Sequence, residues 1–595
     1  VCIFFPLLFV KGITRILFAD FAVLVSITLV ASLFSALTLT PMLSATMMRS
    51  VKFGPGTPQT RLFAWSERKF NELAARYELL LKHALNHRFL VVILASVLFL
   101  ASFALVPMIG TEFMPQEDKS IIRGTVYLPA GTRVERTAEV MEKLEDIVRE
   151  VVPENERISM FMACGPNDSP MASDDGAHIG TFGMRLVTSD KRSRSSQEIA
   201  NTIRKKLIEI QGPMNIEKFR IMSGDPMAGL LLSGEQPITV NIIGDDMEAT
   251  DEVAARVKEI AENTPGAVDI TVSREKGRPE AWVNVNREKA SSMGLNVADV
   301  GDAVRVAFYG RTAGKYRVAG EEFDIFVRLR EPDRSSFDDI RNLPLRLPGG
   351  KMLNTDGIAD VQVKLGPVSI ERKDQGRIVN VLGDAHGRSL GEVTADIKKA
   401  IEKMDVPEGV EVIMSGQSDD QKESFIWLGI SLLVGLILVY MVMASQFESL
   451  LSPFIVMFSV PFAFTGSIWA IFLSGSTINV IILLGVLMLI GIVVNNAIVL
   501  VDYTNTLKAR GLPVIKAVTE AGRARLRPVL MTALTTIAGL SPMAFGKGQS
   551  SEVWNPLGLT MLGGLTVSTF VTLIIVPVMY SLFETHVKKN NSKQG

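Results

Sequence analysis

The chain has 595 residues, with 62 Lys and Arg against 63 Asp and Glu, and a mean hydropathy of +0.27. That length is too great for one domain, the charge balance excludes a global basic field for nucleic acid, and the hydropathy is high for a soluble protein. The two cysteines, Cys2 and Cys164, are too far apart for a disulfide framework; His83 and His87 have no acidic or thiol neighbour in sequence and read as a solvated face rather than a metal site.

In chain order, the first ten residues (VCIFFPLLFV) are apolar but too short to cross a bilayer, and they start without Met. The expectation is a cut through a helix, with the chain forming the later part of a longer protein; residues 1–48 then hold a partial span and one full span at 21–47. Residues 49–88 carry Phe63, Phe70, Leu73, Tyr77, Leu80, Leu81 and Ala84 on one face, which predicts an amphipathic helix on the cytoplasmic membrane surface. A second span follows at 89–108.

Residues 116–422 contain no run long enough to cross and alternate between strand and helix periods. The first part reads as strand 121–128, helix 134–152, strands 157–163 and 180–188, helix 196–210 and strand 216–222. That βαββαβ order is the split βαβ or ferredoxin-like arrangement. A similar set recurs in two pieces, 238–243, 249–263 and 268–272, then 377–382, 390–403 and 410–414. The intervening stretch has strands at 281–285 and 323–329 and a helix at 297–307, and reads as an inserted subdomain. Two related units side by side imply a cleft between them.

Five further spans are expected within 423–583, at about 423–444, 450–473, 478–503, 526–545 and 555–583. Basic residues crowd residues 49–88, the loop after Tyr503 (Lys508, Arg510, Lys516, Arg523, Arg525, Arg527) and the tail 584–595, so these three regions are cytoplasmic and residues of about 110–422 lie on the opposite side. The alternation closes without conflict.

Within the third of these spans, GIVVNNAIVLVDY (residues 491–503) places adjacent amides Asn495 and Asn496 deep in hydrocarbon. A polar side chain there faces protein or a wet cavity. On a helix, Gly491, Asn495, Val499 and Asp502 share one face, suited to a neighbouring helix; interhelical packing alone accounts for the amides as readily as function does.

LTLTPMLSATMM (37–48), IGTEFMPQEDKSIIRGTVYLPAGT (109–132), SQFESLLSPFIVMFSVPFA (445–463), GIVVNNAIVLVDY and RLRPVLMTALTTIAGLSPM (525–543) follow one another in an order that resembles the C-terminal portion of a resistance-nodulation-division (RND) efflux permease of the hydrophobe/amphiphile exporter branch. The resemblance runs along essentially the whole chain. It implies a membrane α-helical bundle with a large periplasmic α+β insert: a first porter subdomain at 116–228, a second at 229–276 and 361–415, and a docking subdomain at 277–360. It also implies a bacterial inner-membrane homotrimer, a periplasmic adaptor, an outer-membrane channel, and the missing N-terminal half of the permease. The ligands it implies are membrane lipid and a small amphiphilic substrate; no cofactor is implied, and export is driven by the proton gradient.

In that family an aspartate pair on an earlier span faces a lysine on the span described above, with a threonine and an arginine on the next. Here the lysine position is Asn495, while Arg525 and Thr532 match the others. The expectation is that Asn495 and Asn496 hydrogen-bond the absent carboxylates and that protonation alone switches the helices. Arg525 reads equally as an interface anchor, and Thr532 as bonding its own helix backbone. The counterpart of the family's pocket loop is GPNDSPMASDDGA (165–177), acidic and without aromatic residues; Phe161, Met162, Phe182 and Met184 are the nearby pocket candidates, each of which also fits an ordinary β-core. Met214, Met222 and Met227 raise export of metal, but Met commonly fills cores. The alternatives to amphiphile export are a lipid or metal exporter of the same family, and a membrane sensor or export-assisting protein that only binds. No Walker loop, HExxH or GxSxG in a suitable context points to an enzyme.

Overall fold

The computed structural model describes residues 1–47, 58–115, 117–165, 176–224, 236–274, 277–366 and 369–594. Among these, seven helical segments are long and apolar enough to cross a membrane, at Ile13–Met47, Arg88–Met108, Gln417–Phe447, Leu451–Ser474, Val480–Ala509, Val514–Phe545 and Ser551–Thr585. The Val480–Ala509 helix is the most enclosed and packs against the helices on either side of it in sequence and against the last span.

Several boundaries depart from the sequence reading for local physical reasons. Residues 1–10 include a 3-10 helix, Phe5–Phe9, and bury Ile3, Phe4, Leu7 and Val10 in the bundle core. The span expected at 450–473 breaks into Leu451–Met457 and Val460–Ser474, because Pro461 has no N–H for the carbonyl of Met457. The helix expected from 526 begins at Val514, so the arginine-rich turn is its first half.

The amphipathic helix, Pro58–Asn86, lays Phe70, Ala74, Tyr77, Leu81 and Ala84 on protein and leaves Leu73 and Leu80 exposed. The Tyr77 hydroxyl donates to the Leu573 carbonyl at 2.7 Å, Arg523 pairs with Glu78 at 3.1 Å, and Leu81 is fully buried. Gly522 leaves the room for this approach: a Cβ there would lie 2.8 Å from the Tyr77 hydroxyl. Burial also drives the Tyr77 phenol well above its ordinary range, so it stays a neutral donor.

Besides three two-stranded sheets, the described residues between the Arg88–Met108 and Gln417–Phe447 helices form two larger sheets, each built on four antiparallel strands in the same order. In the first unit, β1 (Ile121–Tyr127), β2 (Arg157–Cys164), β3 (Ile179–Leu186) and β4 (Lys218–Ser223) lie as β2-β3-β1-β4, with helices Val134–Val151 and Ser196–Gln211 on one face. In the second unit, β5 (Ile238–Ile243), β6 (Ala267–Val272), β14 (Gly376–Ala385) and β15 (Glu411–Ser415) lie as β6-β14-β5-β15, with helices Met247–Glu262 and Leu390–Ile401. The repeat extends to the start of each unit's second helix. Ser195 accepts from the Glu198 N–H at 3.1 Å while Glu198 accepts from the Ser195 N–H at 2.8 Å, and Ser389 and Glu392 form the same reciprocal cap.

Between β6 and β14 the second unit carries its insertion. β7 (Arg278–Val285) pairs with β12 (Ala359–Gly366) as a two-stranded neck, beyond which Ala290, Leu295, Val300, Leu345 and Ile358 form a small core. β8 (Arg311–Val318) and β9 (Glu321–Val327) make a hairpin exposed along almost its whole length. β10 (Pro344–Arg346) pairs with β11 (Met352–Asn354), and β13 (Arg372–Lys373) with the start of β14. Strand periodicity locates β7 and β9 in the sequence; β8 and β12 emerge only in the structure.

Candidate functional site

Three places join the parts of the molecule. The first is the seam where β4 of one sheet meets β6 of the other. Arg204 shares the inward register of the Ser196–Gln211 helix with Ile199, Ala200, Ile203 and Leu207, and so is carried to the buried side of that helix. Its guanidinium grips Asp269 of β6 in the second unit with two parallel bonds of 2.8 Å, and donates to the Ile221 carbonyl of β4 at 3.1 Å. Asp269 in turn accepts from the Ile221 N–H at 3.2 Å, and holds a left-handed backbone at φ 53° that a non-glycine residue adopts only at a cost. Both side chains are buried, so this is a paired charge taken out of water and tied to the edges of two sheets.

Two titratable groups flank the clasp. Burial pushes the Asp384 carboxyl upward; the Ala385 N–H and the charges of Arg204 and Arg220 oppose this, and Asp269 adds to it. His386 is pushed down by partial burial and by Arg204 and Lys205, and the Asn201 amide approaches its Nε2 at 2.9 Å. On the open face of the second sheet, Asn241, Glu371, Arg372, Lys373, Ile378 and Asn380 line a hollow of about 390 Å³.

The second place is the joint between the soluble units and the bundle. The Glu112 N–H donates to the Ile478 carbonyl at 3.0 Å, the Ile478 N–H to the Gly110 carbonyl at 2.8 Å, and the Gly391 N–H to the Thr111 carbonyl at 3.1 Å. The segment 110–113 thus ties the start of the Leu390–Ile401 helix to the loop that opens the Val480–Ala509 helix, whose first turn is capped by Asn479 accepting from the Ile482 N–H at 2.9 Å. Glu112 accepts from Thr477, and burial holds its carboxyl above the usual range against the bonds from Thr477 and Asn479.

The third place is the stripe on that helix. Gly491, Asn495 and Asp502 are exposed and Val499 is half-buried, whereas Asn496 turns into the bundle and is 7% exposed. Two adjacent amides therefore face different surroundings. Arg525 is half-buried with its guanidinium 4.6 Å from the Tyr503 ring centre, and Thr532 is exposed with its hydroxyl donating to the Pro528 carbonyl at 3.0 Å. Arg525 is thus held against the same helix that carries the amides.

The pocket candidates separate by strand register. Met162 opposes Phe182 and Met160 opposes Met184, all on the helix-covered face, and Phe182 and Met184 are buried in its core. Gly124 is bare because a Cβ there would lie 2.1 Å from the Phe182 ring. Phe161 alone of the four candidates lies on the open face, 55% exposed, its ring over Gly183. Most of the 165–177 loop, and Met227, lie outside the described residues. Among the described residues, no three His, Cys, Asp or Glu side chains gather as a ligand set. Motif reading does not single out Arg204 or Asp269; the available signal for Arg204 is a charge at an inward helical position.

The chain resembles the swarming motility protein SwrC of Bacillus subtilis (strain 168), with 29% identity over 99% of this chain and 54% of the relative. It resembles the cobalt-zinc-cadmium resistance protein CzcA of Cupriavidus metallidurans at 27% identity, over 98% of this chain and 54% of that protein. The crystal structure of a heavy metal efflux pump superposes with a TM-score of 0.81 at 25% identity, covering 98% of this chain and 56% of the other. The chain spans about half the length of the curated relatives it matches. Its apolar helices and soluble α+β region are those of an inner-membrane permease. With a family model matching residues 1–584, the chain belongs to the AcrB/AcrD/AcrF family of RND proteins.

Proposed function

We propose that this chain supplies seven membrane helices and two porter subdomains of a secondary active exporter that moves small amphiphilic molecules outward, without chemistry on the cargo, using the proton gradient. The two repeated sheets are read as ferredoxin-like porter subdomains and the insertion as a docking subdomain facing an adaptor or outer-membrane channel, within a homotrimer. The observation that carries this reading is the joint at residues 110–113, which connects the amide-bearing helix to the second sheet unit by backbone hydrogen bonds. A shift of that helix is transmitted to the cleft through it.

Proton coupling is assigned to Asn495 and Asn496, with Arg525 and Thr532 on the adjoining helix, facing carboxylates on a further segment of the transporter. In a transporter that carries this chain, Asn495→Leu is expected to abolish uncoupler-sensitive dye and detergent export while leaving membrane insertion intact. Undiminished export by that variant would reduce the amide to packing.

A second reading, export of metal cations, is favoured by the names of CzcA and of the heavy metal efflux pump. Amphiphiles are preferred because the open face of the first sheet sets exposed Arg123 and Arg185 beside exposed Phe161, a surface of the wrong sign for a cation. Protection against zinc, cobalt or cadmium salts, without protection against detergents, would select the metal reading.

A further inference from the structure

We infer that Glu112 is a proton-responsive positioning residue, whose neutral carboxyl closes the joint between the soluble units and the amide-bearing helix and whose ionised form opens it. The use of that response rests on the transport reading above, in which the soluble units face the compartment that supplies protons. The segment 110–113 is confined from two sides. Toward the second unit, a Cβ on Gly110 would lie 2.9 Å from the Ser389 Cβ, and one on Gly391 would lie 2.3 Å from the Thr111 hydroxyl oxygen, so bare glycines permit the contact. Toward the bundle, Thr111 and Ile478 form a parallel bridge, and the Val480 N–H, an orphan donor of its helix's first turn, donates to the Phe113 carbonyl at 3.2 Å.

Between these contacts the Glu112 carboxyl meets neutral partners. The Thr477 hydroxyl and the Asn479 side chain bond to it, and the same Asn479 caps the helix by accepting from the Ile482 N–H. One side chain thus links the carboxyl to the first turn of the amide-bearing helix. The Val460–Ser474 helix and residues 475–479 contain no Asp, Glu, Lys, Arg or His. On the other elements around the joint, Glu117 accepts from Ser550 and pairs with Lys119 at 3.3 Å, Glu392 accepts from the Ser389 N–H at 3.3 Å, and Arg388 pairs with Asp396 at 2.8 Å. Neither these groups nor Lys547 and Glu552, which flank Ser550 in sequence, act on Glu112; burial and the two neutral donors do.

A neutral carboxyl satisfies this setting completely, donating its proton to the Thr477 oxygen while its carbonyl oxygen accepts from Asn479. An ionised one keeps a charge partly out of water with no cation beside it, and gains by hydration when the loop parts from the strap. The sign follows from burial, which raises the carboxyl in the closed joint: its contribution is complete below the ordinary value of 4.5 and is lost as pH rises through the folded value. Protons on the outward side therefore fasten the amide-bearing helix to the second unit, and their loss releases it.

The test is amide hydrogen exchange of the full 595-residue chain in phosphatidylcholine nanodiscs, from about pH 4 to about pH 8, corrected for the intrinsic pH dependence of exchange. The amides of Ile478 and Val480, which donate to the Gly110 and Phe113 carbonyls, are expected to lose protection about tenfold as pH rises. Glu112→Gln, a permanently neutral side chain, keeps the low-pH protection throughout. Thr477→Val removes a donor that opposes the upward push on the carboxyl, and moves the loss to higher pH; a purely structural contact would weaken protection equally at every pH. Should Glu112→Gln not fold, Thr477→Val carries the test by itself. Protection that is flat with pH in the unaltered chain, an equal loss in Glu112→Gln, or a Thr477→Val profile that does not move overturns the inference. Uncoupler-sensitive export by a transporter whose joint ignores pH would sink this inference alone, and a pH-responsive joint in a transporter that exports nothing would sink only the transport reading.

Discussion

The two sheet units share strand order and the capping of their second helices, yet differ in the chemistry of their open faces. The first carries arginines, Phe161 and Met222; the second carries Asn241, Asn380 and Glu411, with Glu371, Arg372 and Lys373 beside them. Their covered faces are both aliphatic cores, which shows what each side of a sheet is for: burial of alternate apolar residues builds the unit, and the remaining alternate positions are left to differ. The Arg204–Asp269 clasp holds the two units in one relation along the seam.

Cutting the clasp is the strongest challenge to that relation. Arg204→Ala strands a buried carboxylate and is expected to cost about 3–5 kcal/mol, read by denaturant unfolding, whereas replacing both partners by Met and Leu costs much less. A small loss in the single variant would mean the units are held elsewhere. Within the first unit, Gly124→Ala pushes a methyl into the Phe182 ring and is expected to cost about 1–3 kcal/mol, recovered in part by Phe182→Leu. No recovery would show that the backbone, not the ring, is the obstacle.

The flanking groups make the seam pH-dependent in two directions. Asp384 has a raised folded pKa, so its contribution is complete below its ordinary value of 3.8 and is lost as pH rises through the folded value. His386 has a lowered folded pKa, so its contribution is complete above its ordinary 6.5 and is lost as pH falls through the folded value. Asp384→Asn should remove the loss on raising pH and His386→Gln the loss on lowering it, each visible in the midpoint of unfolding against pH. The smallest effect is expected on the membrane side, where Asn495→Leu on an exposed stripe shifts stability by less than about 0.5 kcal/mol. A large shift would mean that Asn495 is a structural partner within this chain.

Much of the fold was legible because its signals are local. Strand alternation in residues 121–223 and the second unit falls within a few residues of the structural elements, and each of the seven apolar runs lies inside a long helix, although two of those helices start eight or more residues earlier than expected. The insertion was read less well: β8 is exposed along almost its whole length, so no burial period marks it, and only its partner β9 was read as a strand. The site was legible as residue types but not as directions, and Met162, Phe182 and Met184 proved to lie on the covered face while Phe161 faced out.

The amino-acid sequence by itself determined which segments are long and apolar enough to cross a membrane and which of the residues 121–223 alternate as strands, because these follow from local hydropathy. Tertiary structure alone decided which amide of the Asn495–Asn496 pair turns inward, which side of the first sheet stays open, and that Arg204 meets Asp269 across the seam. Periodicity specifies that neighbours point apart; only packing against distant elements specifies which of them is covered.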